Sequence, residues 1–251
     1  MSTQSRIEWT EQTWNPVVGC TKLSAGCKNC YAETMAKRLR AMTTPGYENG
    51  FELRLLPERL GDPLKRNKPT VFFVNSMSDL FHDRVPDQYI DQVVDVIAQT
   101  PQHTYQILTK RAARMVRYFN THIAPDNAWL GVSVENRKHG VPRIDHLRNV
   151  RAQIRFLSVE PLLEDLGTLN LTDIHWVIVG GESGPKARPM KEKWADSVRL
   201  QCEAHGVAFF FKQWGGWGVD GQRRAKSANG RLLNGRTWDD MPASQRRRML
   251  G

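Results

Sequence analysis

Residues 70–110 read TVFFVNSMSDLFHDRVPDQYIDQVVDVIAQTPQHTYQILTK. Thr70-Val71-Phe72-Phe73-Val74 is β-branched and aromatic throughout, as in a strand buried on both faces. Beyond it, Ile90, Val93, Val94 and Ile97 recur at i, i+3, i+4 and i+7, the apolar stripe of a helix, and Pro86-Asp87 supplies its start. Thr104–Leu108 then reads as a second buried strand. A buried strand, an amphipathic helix and another buried strand form the repeating unit of a parallel sheet covered by helices.

The same rhythm continues along the chain. A helix is expected from Lys110 to about His122, a strand at Trp129–Val134, a helix ending near Arg148 and a strand at Ile154–Val159. Trp176-Val177-Ile178-Val179 forms another strand and stops at Gly180-Gly181. Pro161–Thr172 connects the last two without a helical period. A helix near Lys191–His205, stopped by Gly206, leads to the strand Val207–Phe211. With Trp14–Gly19 as a short first strand, the count is about seven, which favours a parallel (β/α) barrel, complete or partial, over an open Rossmann sheet. Residues 43–69, rich in Gly, Pro and charge, read as an insertion. The stretch from about Gly215, with Arg223-Arg224 and Arg246-Arg247-Arg248, reads as a basic tail or lid. With no internal repeat or low-complexity linker, one domain over 1–251 is expected.

Composition narrows the function. No run approaches the eighteen apolar residues of a membrane span, and the N-terminus lacks a secretory pattern, so a cytoplasmic protein with reduced thiols is expected. The formal net charge is +10, which suits a polyanionic partner, with nucleic acid the leading class.

Three of the four cysteines fall within eleven residues, in Gly19-Cys20-Thr21-Lys22-Leu23-Ser24-Ala25-Gly26-Cys27-Lys28-Asn29-Cys30-Tyr31. In a reducing compartment such a cluster points to metal binding or redox chemistry. Three thiolates can each bind one iron of a 4Fe–4S cubane and leave the fourth iron open for a substrate to chelate. The loop follows the first strand, and barrel enzymes carry their chemistry at the C-terminal ends of strands. Two other readings compete. Zinc could join Cys27 and Cys30 to Cys202 and His205, although Trp194, Val198 and Cys202 recur at helical spacing, which suits a core thiol. The thiols could also be unliganded.

The positions just past each strand are polar. They include Asn75, Ser76, Ser78 and Asp79; Thr109, Lys110 and Arg111; Ser133, Glu135 and Asn136; Ser158 and Glu160; Gly180, Gly181, Glu182 and Ser183; Lys212 and Gln213. A polar residue at one strand end is ordinary, whereas a set this consistent suggests a shared polar cavity. GGESG lacks dinucleotide or Walker spacing, and Glu182 would repel phosphate.

The cysteine loop resembles the cluster motif of radical S-adenosylmethionine enzymes, with C-x6-C-x2-C in place of the common C-x3-C-x2-C. Nearly the whole chain resembles the phage Gp37/Gp68-like family of three-cysteine-motif proteins, a domain of unknown function (DUF5131). The matching stretches are Trp14-Asn15-Pro16, the loop with Tyr31-Ala32, Gly131–Asn136, Gly180–Gly184 and Phe211–Gly215. The resemblance implies that Cys20, Cys27 and Cys30 hold a 4Fe–4S cluster and that S-adenosyl-L-methionine is the second cofactor. It further implies an external electron donor and a 5′-deoxyadenosyl radical that abstracts hydrogen from a substrate, with nucleic acid or a nucleotide the first guess. Ser76 and Asp79 would meet the methionyl amine by that resemblance. Glu135 and Asn136 suit a ribose diol, and the backbone near Val179–Gly181 suits adenine, because paired glycines permit close approach. The contrasting reading is a non-enzymatic nucleic-acid-binding protein with a structural cluster or zinc. In it Trp214, Trp217 and Trp238 stack on bases rather than pack internally.

Overall fold

The computed structural model describes residues 3–4 and 7–242. In chain order the elements are β1 (Thr3–Gln4), β2 (Gln12–Trp14), β3 (Val17–Val18), α1 (Tyr31–Ala41), β4 (Arg54–Leu55), β5 (Val71–Val74), α2 (Asp87–Gln99), β6 (Thr104–Thr109), α3 (Ala112–Phe119), β7 (Ala128–Ser133), α4 (Pro142–Arg148), β8 (Ile154–Val159), β9 (Trp176–Gly180), α5 (Glu192–Ala204), β10 (Ala208–Gln213) and α6 (Lys226–Asn229). The main sheet runs β1-β2-β5-β6-β7-β8-β9-β10, with β3 and β4 as a separate pair. Seven strands, β2 and β5 to β10, form the parallel α/β series, and β1 adds antiparallel to β2 at one edge. Because the order ends at β1 and β10, the fold is a partial (β/α) barrel, not a closed one.

The chain divides into two compact units. The first comprises the described parts of Met1–Leu23, with Cys30–Gly131 and Asn149–Gln153. The second comprises Ser24–Asn29, Val132–Arg148 and the described part of Ile154–Gly251.

In the first unit, β2 pairs parallel with β5 and β5 with β6. The first strand is shorter and earlier than Trp14–Gly19, and its interruption is local chemistry. Pro16 has no N–H to give a ladder. The Asn15 carbonyl Oδ1 instead accepts from Ser76 Oγ and Met77 N, both at 3.1 Å. The chain then re-forms β3 against β4, a strand drawn from the 43–69 segment. That segment is therefore part of the unit's core: Tyr47 and Leu56 are buried with Val18, Ala32, Ala36 and Met77, and the Trp14 indole donates to Arg59 O at 2.8 Å. Gly19 shows why the contact must be close. Its φ is +77°, and a Cβ there would sit 2.0 Å from Glu52 O.

Helix α2 buries Ile90, Val93 and Ile97 of the expected stripe, adds Tyr89 and Val96, leaves Val94 only half-buried, and stops where Thr100 precedes Pro101. Helix α3 is shorter than the expected Lys110–His122. The strand end takes up Lys110 and Arg111, since Lys110 N donates to Asp79 and Arg111 N to Thr109 Oγ1.

In the second unit, β8 pairs parallel with β9 and β9 with β10. Helix α5 covers them through Ala195, Val198 and Cys202. Hydrogen bonds tie parts of the 215–242 stretch to the rest of the unit, while residues 219–228 are exposed. Phe211 N donates to Trp238 O at 2.9 Å, the Trp217 indole to Ala187 O at 2.7 Å, and the Trp214 indole to Leu232 O at 2.8 Å. Trp214 is fully buried, and Trp238 lies under the guanidinium groups of Arg236 and Arg199. Trp214 therefore fills a core position, while Trp217 and Trp238 are half-buried. Arg246–Arg248 lie outside the described residues. No helix of the described residues is long and apolar enough to cross a membrane.

Candidate functional site

Segment 20–30 changes unit twice: Cys20 and Cys30 belong to the first and Cys27 to the second. All three are partly exposed thiols, whereas Cys202 is fully buried. Burial in an apolar face pushes the Cys202 thiol up to about 12, the behaviour of a core thiol and a poor metal ligand.

In the first unit, backbone bonds fix Cys20. Gly19 N donates to Met77 O at 3.0 Å, and Cys20 N donates to Phe51 O at 3.2 Å. The 43–69 segment, which contains Phe51, thus braces the first cysteine. A buried arginine stands beside its sulfur. Arg111 Nη1 lies 3.6 Å from Cys20 Sγ and 3.2 Å from Asp79 Oδ2, and Nη2 donates to Thr21 Oγ1 at 2.9 Å and Thr21 O at 3.3 Å. Asp79 is in turn saturated. It accepts from Thr109 Oγ1 at 2.7 Å, Phe81 N at 3.0 Å and Lys110 N at 3.1 Å besides Arg111. Next to this network, His82 Nδ1 accepts from Arg84 N at 3.2 Å, which leaves Nε2 to donate to Thr21 Oγ1 at 2.9 Å. Burial and the Arg111 charge lower the His82 pKa and favour that neutral form. Cys30 begins α1, packs against the Val18 cluster and accepts from Thr34 N at 3.3 Å. The first residue of that helix, Tyr31, donates through its hydroxyl to Ser76 O.

In the second unit, Ser24–Asn29 is tied down by two carboxylates. Glu135 is completely buried, its Oε2 is 2.6 Å from Arg143 Nη1, and its Oε1 accepts from Ser24 Oγ. Gly26 lies against the same carboxylate, where a Cβ would come within 3.0 Å of Glu135 Cγ. Glu182 accepts from Asn29 Nδ2 at 3.0 Å, and from Arg188 N at 2.9 Å, Nε at 2.9 Å and Nη2 at 2.6 Å. Arg188 also donates to Ala25 O at 3.0 Å. Burial tends to raise the Glu182 pKa, but the bonds from Arg188 and Asn29 outweigh it and hold the carboxyl below its ordinary range. The wide Cys20–Cys27 spacing therefore has a physical account: Ser24, Ala25 and Gly26 are the residues that dock on Glu135 and Arg188.

The remaining expected residues are at strand ends with partners of their own. Ser133 O accepts from Arg143 Nη1 at 2.8 Å. Asn136 Oδ1 accepts from His139 N at 2.9 Å and closes the turn before α4. Glu160 Oε1 lies 3.2 Å from Lys212 Nζ, and Ser158 Oγ donates to Glu160 Oε2 at 3.3 Å. The close approach offered by Gly180 and Gly181 is used by the protein itself. A Cβ on Gly180 would meet Glu160 Oε1 at 2.4 Å, and one on Gly181 would meet Trp214 O at 1.9 Å. Sequence reasoning assigned no role to Arg143, Arg188, Asn29 or Asn15. Arginines paired with carboxylates leave no periodic signal, and only the carboxylates at strand ends were visible as residue types.

Among the described residues, no group of three or more His, Cys, Asp or Glu stands close enough to hold a single metal ion. A cubane makes a different demand, because each of its irons takes one thiolate. By residue chemistry the three cysteines suit that demand: each is a partly exposed thiol, and in the first unit a guanidinium N–H is directed at Cys20 Sγ.

Among solved structures, the chain resembles a cysteine-to-alanine mutant of spore photoproduct lyase (TM-score 0.50, 14% identity, covering 72% of this chain and 58% of that one). It also resembles such a mutant with dinucleoside spore photoproduct (TM-score 0.50, 13% identity, covering 80% and 63%). At this identity the likeness is one of fold, and the chain spans less than two thirds of the length of those proteins. No curated protein matches it in sequence. The profile of the family described as "Protein of unknown function (DUF5131)" matches residues 4–242, and the chain belongs to that family.

Proposed function

We propose that this protein is a radical S-adenosylmethionine enzyme acting on nucleic acid or a nucleotide. The observation that carries the reading is the three-thiol segment after the first strand of a partial barrel, with a charged donor fixed on Cys20 Sγ. Cys20, Cys27 and Cys30 would hold a 4Fe–4S cluster. When bound, such a cluster supplies the electron that splits the sulfonium of S-adenosylmethionine into methionine and a 5′-deoxyadenosyl radical.

The chain's own residues divide the remaining work. Asp79 orients Arg111 toward Cys20, and Glu135 and Glu182 hold Ser24–Asn29 in place. Ser76 and Glu160 keep half-buried side chains at strand ends, which suits them to the polar methionyl and ribose groups of the cofactor. Ser133 and Asn136, with the backbone of Gly180 and Gly181, complete the strand-end set. The substrate class is supported by the net charge of +10 and by the dinucleoside photoproduct carried by one fold relative. The external reductant belongs to the same proposal.

The test is anaerobic. The protein is reconstituted with iron and sulfide, then given dithionite and S-adenosylmethionine, and 5′-deoxyadenosine is assayed. Its formation is expected. A reducible cluster that yields none would sink the enzyme reading. Binding to single- and double-stranded oligonucleotides should weaken steeply with salt, and salt-insensitive binding would count against a phosphate-driven contact.

A further inference from the structure

Arg111 is more constrained than solvation of a charge requires. It is buried, and its guanidinium makes four directed contacts: Cys20 Sγ, Asp79 Oδ2, Thr21 O and Thr21 Oγ1. Asp79 cannot swing away, because three further donors hold it. The resulting N–H···S contact has a fixed direction. A guanidinium also keeps its proton at all accessible pH values, so the donor is permanent. The neighbouring carboxylate of Asp79, with Asp83 3.8 Å from Nε, offsets much of the net charge. What remains at the sulfur is mainly the directed hydrogen bond.

We infer that Arg111 is a positioning residue that tunes the electron affinity of the iron bound by Cys20, an inference that rests on the cluster reading above. A hydrogen bond to a ligand sulfur withdraws electron density and favours the reduced, more negative cluster. The effect is on the reduction midpoint of the cluster rather than on how many irons are bound.

The experiment is an EPR-monitored redox titration of anaerobically reconstituted wild-type protein, Arg111→Gln and Arg111→Lys, with iron and acid-labile sulfide measured on each. Arg111→Gln should hold the wild-type iron content with a midpoint shifted negative. A tenfold fall in the reduced-to-oxidised ratio at fixed poise corresponds to about 59 mV for one electron. Arg111→Lys keeps the charge but loses the fork that spans Asp79 and Cys20, and should fall between the two. Lys65→Gln, which removes an exposed charge elsewhere in the unit, should leave the midpoint unchanged. An unchanged midpoint in a fully loaded Arg111→Gln protein would overturn the inference while leaving the cluster reading intact. Where Arg111→Gln does not load, the Lys variant decides by the same criterion. Failure of both to fold or to take up iron would make Arg111 a structural residue and equally overturn it. Absence of a cluster in the wild type would instead remove the underlying reading.

Discussion

Replacing Arg143 by methionine should produce a stability loss that is recovered in part when Glu135 is neutralised with it. Arg143 is the cation paired with Glu135 at 2.6 Å, and the glutamate has no solvent exposure. Removing one partner of a buried ion pair costs about 3–5 kcal/mol, because the desolvated charge loses its nearest counter-charge, whereas removing both partners together is often close to neutral. Arg143 also donates to Ser133 O at 2.8 Å, so part of the loss belongs to that contact and persists in the double variant. Arg143→Met should therefore cost about 3–5 kcal/mol, and the double variant Glu135→Gln, Arg143→Met clearly less. Two residues in direct contact should show a coupling of about 0.5–3 kcal/mol in the double-mutant cycle. Urea unfolding followed by circular dichroism on the wild type, both single variants and the double variant measures it. Strictly additive penalties, or a double variant less stable than Arg143→Met alone, would refute the claim that the two side chains stabilise the unit as a pair.

Other outcomes follow from single contacts. Gly181→Ala would drive a Cβ to 1.9 Å from the backbone oxygen of Trp214, whereas Gly180→Ala meets only the movable end of Glu160. Thermal unfolding should show Gly181→Ala costing about 2 kcal/mol or more and Gly180→Ala distinctly less. Glu182 is held below its ordinary value of 4.5, so the stability it contributes is complete above pH 4.5 and is lost as pH falls through its lower folded value. Glu182→Gln should therefore flatten the acid limb of the stability profile, and an unaltered limb would remove Glu182 from the anchoring of Ser24–Asn29. Cys202→Ala should lower the unfolding midpoint modestly through a small cavity and leave iron binding intact, whereas iron loss would reinstate it as a ligand.

The parallel series was legible because its strands are continuous apolar runs. Phe72, Phe73, Val74 and the 176–179 run could be placed from pattern alone, as could Ile90, Val93 and Ile97 on the buried face of α2. The first strand was harder. Pro16 and the side chain of Asn15 end it two residues after a tryptophan that invites continuation, and the remaining valines pair elsewhere. The 43–69 segment read as an insertion because its Gly and Pro content hides two buried anchors, Tyr47 and Leu56, whose partners lie far away in sequence. At the candidate site the cysteines and the strand-end acids were visible as residue types. Their division of labour was not, because Asp79, Glu135 and Glu182 each answer to an arginine that local sequence does not pair with them. Tertiary pairing of charges has no period to detect.

The central claim is that Cys20, Cys27 and Cys30, and not Cys202, bind the cluster. Iron and acid-labile sulfide per chain, measured after anaerobic reconstitution of the wild type and each of the four Cys→Ala variants, test it most directly. The account predicts about four irons and four sulfides in the wild type and in Cys202→Ala, as a 4Fe–4S cluster requires, and a large loss in each of the other three. Full loading of the Cys20, Cys27 or Cys30 variant, or loss confined to Cys202→Ala, would contradict it.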